Sequence, residues 1–234
     1  MQRFSVTATF ETKDTLTQYC EWLTSEHIPL VTSNGALTSE LSIVDNENDY
    51  QVNTLYTFLN SDSLNHFLNE IAPNLTSVQT YITRFDETKK ILNIKQFVGT
   101  TGFYYQSTNT QNPLTIHFGM IRYNVIATLA NSNVLDEYLS WLAEGHIQAV
   151  VDAGGLSGEY NVLRNDEPTE TTIRVASVYL FPNLEALSEY QNGVAITLRQ
   201  EGIKLFVETN KVIKFDRYVG TIVNATNNEE TQTL

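Results

Sequence analysis

The sequence predicts an α+β fold: two ferredoxin-like βαββαβ repeats, packed sheet to sheet as a single-chain α/β barrel. Three observations carry this. The chain repeats itself, since Tyr19-x-x-Trp22-Leu23-x-x-x-His27-Ile28 returns as Tyr138-x-x-Trp141-Leu142-x-x-x-His146-Ile147, and an internal repeat fixes architecture before any chemistry is considered. Each copy orders its strand and helix patterns as β-α-β-β-α-β, the split unit. Such a sheet, with both helices on one face, leaves the other face bare. That face is partly apolar, with Leu55, Thr57 and Leu59 in one copy and Ile126, Val178 and Leu180 in the other. Two such faces in one chain are expected to cover each other. The alternative is two independent domains facing other partners.

Along the chain, Phe4, Val6, Ala8 and Phe10 alternate with Ser5, Thr7 and Thr9, the period of a strand with one apolar face. Tyr123, Val125, Ala127 and Leu129 answer them. Leu16, Tyr19, Cys20 and Leu23 then fall at helical spacing, repeated by Leu135, Tyr138, Leu139 and Leu142, which gives each copy one buried stripe. Asp14 and Asn133 stand at the expected caps, and Pro29 suits the helix exit. After Gly35 and Gly154 come two strands around a polar tip. In copy one they cover residues 36–44 and 50–59, and in copy two they flank Arg164 through Thr171. A second helix carries Leu64, Phe67, Leu68, Ile71 and Leu75, matched by Leu187, Tyr190, Val194 and Leu198. A last strand runs near 90–98 and 211–219.

The register of the repeat shifts twice. The offset is 119 through the first helix (146 − 27), 123 at the third strand (179 − 56) and 121 at the last (220 − 99). Length changes of this kind collect in loops, which absorb them at little cost. The expected organisation is repeat one at 1–102, a linker at 103–120, repeat two at 121–223 and a disordered tail at 224–234. The linker is rich in Ser, Thr, Asn and Gln, with Phe103, Tyr104 and Tyr105 docked.

The net charge of −13 argues against a nucleic-acid partner, which needs clustered Lys and Arg, and against anionic membrane surfaces. No apolar run approaches the ~20 residues of a membrane span. The N-terminus enters a strand pattern without a signal-peptide apolar region, so a cytoplasmic location is expected. Cys20 is the single cysteine; it aligns with Leu139 and reads as a small core residue. Asn74-Leu75-Thr76 and Asn224-Ala225-Thr226 match the glycosylation pattern by chance in an Asn- and Thr-rich chain.

Trp22-x4-His27-Ile28-Pro29 followed by Gly35, and Trp141-x4-His146-Ile147 followed by Gly154, form a short signature. Ala72-Pro73-x-Leu75 extends it in copy one, and Leu198-Arg199-x-Glu201-Gly202-x3-Phe206 in copy two. This signature resembles a bacterial domain family of unknown function within the dimeric α/β-barrel superfamily. The resemblance covers most of both copies. Copy two has Gln148 in place of Pro29, and copy one lacks the Arg-x-x-Gly step, so neither keeps the whole pattern. The superfamily spans cofactor-free oxygenases, haem-degrading enzymes, isomerases, chlorite dismutase relatives and stress-response proteins, and fold alone does not choose among them. The resemblance transfers no catalytic residue.

His27 and His146 are the candidate catalytic residues. Each sits at the expected C-terminal end of its first helix, where the dipole favours a cation. The structural reading is a C-cap; the functional one is a proton acceptor with a pKa near neutrality. Trp22, Trp141, Tyr19 and Tyr138 serve the core or wall a planar ligand. Glu40 and Glu159, at matched strand positions, read as a solvated strand face or as ligand-facing carboxylates. No metal site is expected. Asp45-x-Glu47-x-Asp49 lacks the glycine and the closing glutamate of a calcium loop, and the four histidines form no pair at metal spacing. Gly154-Gly155-Leu156-Ser157-Gly158 is no phosphate loop, and no cofactor motif is present. His66 and His117 lack counterparts in the other copy.

The leading expectation is a non-catalytic barrel that binds a small apolar or planar ligand or acts as an interaction module. The alternatives are a cofactor-independent oxygenase or isomerase, and a self-assembling structural protein, since pseudo-symmetric duplicates favour homo-oligomers.

Overall fold

The computed structural model describes residues 1–44, 49–86, 88, 90–111, 113–164 and 173–227. The acidic tip Asp45-x-Glu47, most of the second hairpin tip and the chain beyond Asn227 lie outside the described residues.

The first repeat opens with β1 (Gln2–Phe10) and α1 (Lys13–Trp22). A π-helical turn, Leu23–His27, joins α1 to α2 (Ile28–Ser33). The hairpin is β2 (Thr38–Val44) and β3 (Tyr50–Phe58). The second helical layer is α3 (Ser61–His66) and α4 (Thr76–Tyr81), each followed by a π turn, Phe67–Ile71 and Ile82–Asp86. β4 (Ile91–Gln106) ends the repeat. The second repeat runs β5 (Ile121–Leu129), α5 (Leu135–Trp141), a π turn Leu142–His146, α6 (Ile147–Asp152), β6 (Ser157–Leu163) and β7 (Ile173–Phe181). It closes with α7 (Leu184–Asn192), α8 (Val194–Gly202), a π turn Ile203–Val207 and β8 (Val212–Asn227).

Strand pairing repeats with the sequence. Gln2 faces Phe58 across β1 and β3, and Ile121 faces Phe181 across β5 and β7. Thr38 faces Thr57, and Ser157 faces Leu180. Each pair moves by the same 119 and 123 as the sequence, so the register follows the side-chain alternation. The strand order β1-β3-β2-β8-β5-β7-β6-β4 closes as a barrel, which leaves no free edge. This is the single-chain α/β barrel implied by the duplication, not two independent sheets.

Two compact units divide the chain at Val98/Gly99 and Thr221/Ile222. β4 and β8, at 16 residues each, both cross that division. The polar composition places residues 103–106 in a linker, yet they are strand. Phe103 pairs with Tyr160 across β4 and β6 and packs on the second core with Tyr105. Likewise β8 runs through Asn224 to Asn227, where the composition predicts a tail. Ile222 is fully buried, and Ser39 Oγ lies 2.6 Å from Thr226 Oγ1.

The helices differ from expectation in three ways. Thr12, not Asp14, caps α1 by accepting from Thr15 N, and Asn131, not Asn133, caps the second copy. Both hold extended backbone, as a cap requires. Pro29 does not end the helix. It stands in the first turn of α2, where its missing N–H goes unused after the π turn. The chain leaves the helix later, at Gly35 (φ 115°) and Gly154 (φ 116°), a conformation glycine takes without cost.

In the first unit Phe10, Tyr19, Trp22, Leu41, Tyr56 and Phe85 are buried between sheet and helices. In the second, Leu129, Tyr138, Leu142, Tyr179 and Phe206 play the same part.

Candidate functional site

The π turn places each histidine. It adds one residue to the helix and turns the ring inward, so neither His27 nor His146 is a C-cap. His27 stacks on Trp22, with centroids 4.8 Å apart and planes at 24°. His146 lies on Trp141 at 3.9 Å and 33°. Burial pushes both rings down to about 4. Desolvation penalises the charged form, so near neutrality both are uncharged, contrary to the cation favoured by a helix end.

Tyr19, Trp22 and His27 come together, as do Tyr138, Trp141 and His146. Tyr19 meets Trp22 at 5.1 Å and Tyr138 meets Trp141 at 5.7 Å. Phe85 and Phe206 close the two clusters edge-on, at 5.2 Å and 5.1 Å from their tyrosines. These phenylalanines, and the π turns that carry them, align the second helical layers at an offset of 121 (206 − 85).

That alignment exposes a difference. Tyr81 in repeat one corresponds to Gly202 in repeat two (202 − 81 = 121). Tyr81 packs on Trp22 at 5.7 Å, and Trp22 is 3% exposed. Trp141 faces only a glycine there: a Cβ on Gly202 would begin 3.4 Å from its ring. Ser77 corresponds to Leu198 (198 − 77 = 121). Buried Ser77 shares a 2.9 Å hydrogen bond with Nδ1 of His27. Leu198 offers no such group, and Nδ1 of His146 is buried without a partner among the described residues.

A cavity of about 60 Å³ fills the difference. This is room for about four waters at ~15 Å³ each. It lies within the second unit, between β5, β7 and β8 and the helices. Tyr138, Trp141 and His146 form one wall; Ser177 and Tyr179 form the floor; Tyr190, Arg199 and Arg217 complete it. Among the described residues, Ser177 Oγ and the Tyr179 hydroxyl are buried and form no hydrogen bond. Burial raises the phenols of Tyr138 and Tyr179, and the nearby Ser177 hydroxyl offsets part of that rise. Each unmet buried polar group costs about 1–3 kcal/mol, which a ligand with matching groups would recover. Tyr56, the counterpart of Tyr179, is also unpartnered among the described residues, so that feature belongs to the shared framework. The open His146 nitrogen does not.

Glu40 and Glu159 do not join this site. They are 5% and 4% exposed, not solvated. Glu159 pairs across with Val178, whereas the cavity residue is Tyr179, so Glu159 sits on the opposite sheet face. There it accepts from Asn161 Nδ2 at 3.0 Å. Among the described residues, no group of three His, Cys, Asp or Glu side chains could hold a metal ion, and no helix is long and apolar enough to cross a membrane. No motif assigns Tyr123, Ser177, Tyr179, Tyr190, Arg199 or Arg217 to a site. The signal that finds them is the set of positions where the copies disagree.

Residues 120–222 match a family model described as Domain of unknown function (DUF4286). A search of curated proteins returned no match. Solved structures of the dimeric α/β-barrel type share the fold. A provisionally assigned monooxygenase from Fusobacterium nucleatum subsp. nucleatum is 11% identical with a TM-score of 0.61, covering 97% of this chain and 94% of that one. An anthrone oxidase-like protein is 11% identical with a TM-score of 0.68, covering 97% and 92%. A provisionally assigned monooxygenase from Lactobacillus acidophilus is 11% identical with a TM-score of 0.59, covering 97% and 96%.

Proposed function

We propose that the protein is a small-molecule-binding barrel whose working site is the cavity beside His146 in the second repeat. One observation carries this: the two repeats share a framework, but in the first Tyr81 covers Trp22 and Ser77 meets the His27 nitrogen, while Gly202 and Leu198 leave the second open with an unmet His146 nitrogen. A partly open, largely aromatic space with a few convergent polar groups is the form of a ligand pocket. The family match to residues 120–222 falls on this repeat. The test copies repeat one into repeat two. Wild type is screened by thermal shift against planar and apolar compounds, including quinones, flavins and fatty acids. At least one class should stabilise it, and Gly202→Tyr should abolish that shift while the protein stays folded. No stabilisation by any class, or an equal shift in Gly202→Tyr, rejects the proposal.

A cofactor-independent oxygenase is the second reading. It is supported by the neutral His146 inside the cavity, able to accept a proton, and by the names of the structural neighbours. Oxygen uptake with anthrone, abolished in His146→Gln, would support it; no uptake by wild type rejects it.

A further inference from the structure

We propose, building on that site, that its ligand is a small organic anion, a carboxylate or enolate on a compact planar body, whose charge faces Arg199 and Arg217. Among the cavity residues that differ from their counterparts in repeat one, four gain a hydroxyl or a cation: Phe4 stands for Tyr123 (123 − 4 = 119), Phe67 for Tyr190 (190 − 67 = 123), Val78 for Arg199 (199 − 78 = 121) and Gln96 for Arg217 (217 − 96 = 121). Other changes, Leu198 for Ser77 and Gly202 for Tyr81, remove a hydroxyl and open the space. None brings an acid, although acids outnumber bases 27 to 14 in the chain.

The two guanidinium groups arrive from different elements, α8 and β8, and line one cavity. Among the described residues neither is paired with a carboxylate, and no Asp or Glu lines the cavity. Arg217 rests over Phe215 at 5.5 Å, a contact that positions it without neutralising it. Glu201, next to Arg199 but one in sequence, is occupied at 3.3 Å by Trp141 Nε1. Both arginines act on one hydroxyl: burial raises Tyr190 most, Tyr123 adds to it, and Arg199 and Arg217 pull it back. Arginine binds a carboxylate through two parallel hydrogen bonds, and phenol hydroxyls donate beside them. The small, partly open space takes in only part of a ligand, and its aromatic walls favour a flat one.

The test uses matched pairs of probes: benzoate against benzamide, and crotonate against crotonamide. They are titrated into the ¹⁵N-labelled full chain at constant ionic strength. The carboxylates should shift cavity amides with a Kd at least tenfold below those of the amides. Arg199→Gln and Arg217→Gln should each weaken benzoate at least tenfold and leave benzamide unchanged. Arg217 is exposed, so that variant keeps its fold. If the amides bind as tightly as the carboxylates, or both variants bind benzoate as wild type does, the anion inference is overturned while the pocket stands. If none of the four probes shifts cavity amides, both are overturned.

Discussion

His27 and His146 begin at matched positions and end with different partners, Ser77 for one and the cavity for the other. Both share a pH consequence. Their folded pKa of about 4 lies below the ordinary 6.5, so between these values the unfolded chain binds more protons. Stability is therefore fully present above about pH 6.5 and is lost as pH falls toward 4, by on the order of 2–3 kcal/mol per ring. Urea unfolding at pH 7 and pH 4.5 measures this, and the double variant His27→Gln, His146→Gln should lose much of the difference. An unchanged pH dependence in that variant would show that other groups carry it. Ser77→Ala strips His27 of its hydrogen bond and should cost about 1–2 kcal/mol. Leu198→Ala removes a side chain packed on the second core and should cost about 2 kcal/mol or more.

The helices show which elements could be read in advance. Spacing of Leu16, Tyr19 and Leu23 places the first helix correctly, and alternation places every strand core. The π turns stay hidden because one inserted residue leaves the preceding stripe intact and only rotates the residues after it. That rotation carries His27 and His146 inward, so the histidines could be named from sequence but their surroundings could not. Pro29 misleads for the same reason: it normally ends a helix, yet after a π turn it starts one. The cavity was legible only as a disagreement between copies, at Tyr81 and Gly202, and attention to the features both copies retain passes over it. The turns are not identical. Gly145 sits at φ 156° inside the second one, and the first has Glu26 at that position. Gly145→Ala should cost about 1–3 kcal/mol by thermal unfolding, whereas Glu26→Ala should be nearly neutral. Equal effects would show that the two turns tolerate side chains alike.

At the scale of the molecule, β4 and β8 matter most. Each gives part of its length to both units, and the first unit takes residues 222–227 from beyond the second. Calorimetry should give one unfolding transition, with van't Hoff and calorimetric enthalpies in agreement; two separated transitions would contradict it. A fragment ending at Gln106 lacks residues 222–227 and should not fold alone. The closed barrel was readable from the repeat, because two half-covered sheets in one chain have few ways to bury their apolar faces. The length of β4 and β8 was not, because Ser, Thr, Asn and Gln mark a loop only when nothing pairs with them. The filled first repeat gives experimenters something rarely available. Trp22 and Trp141 occupy the same station in one molecule, one sealed under Tyr81 and the other facing Gly202. Their two indole signals form a reporter and its blank, recorded in the same tube at the same concentration, so a change at one that is absent from the other cannot arise from buffer, aggregation or global unfolding.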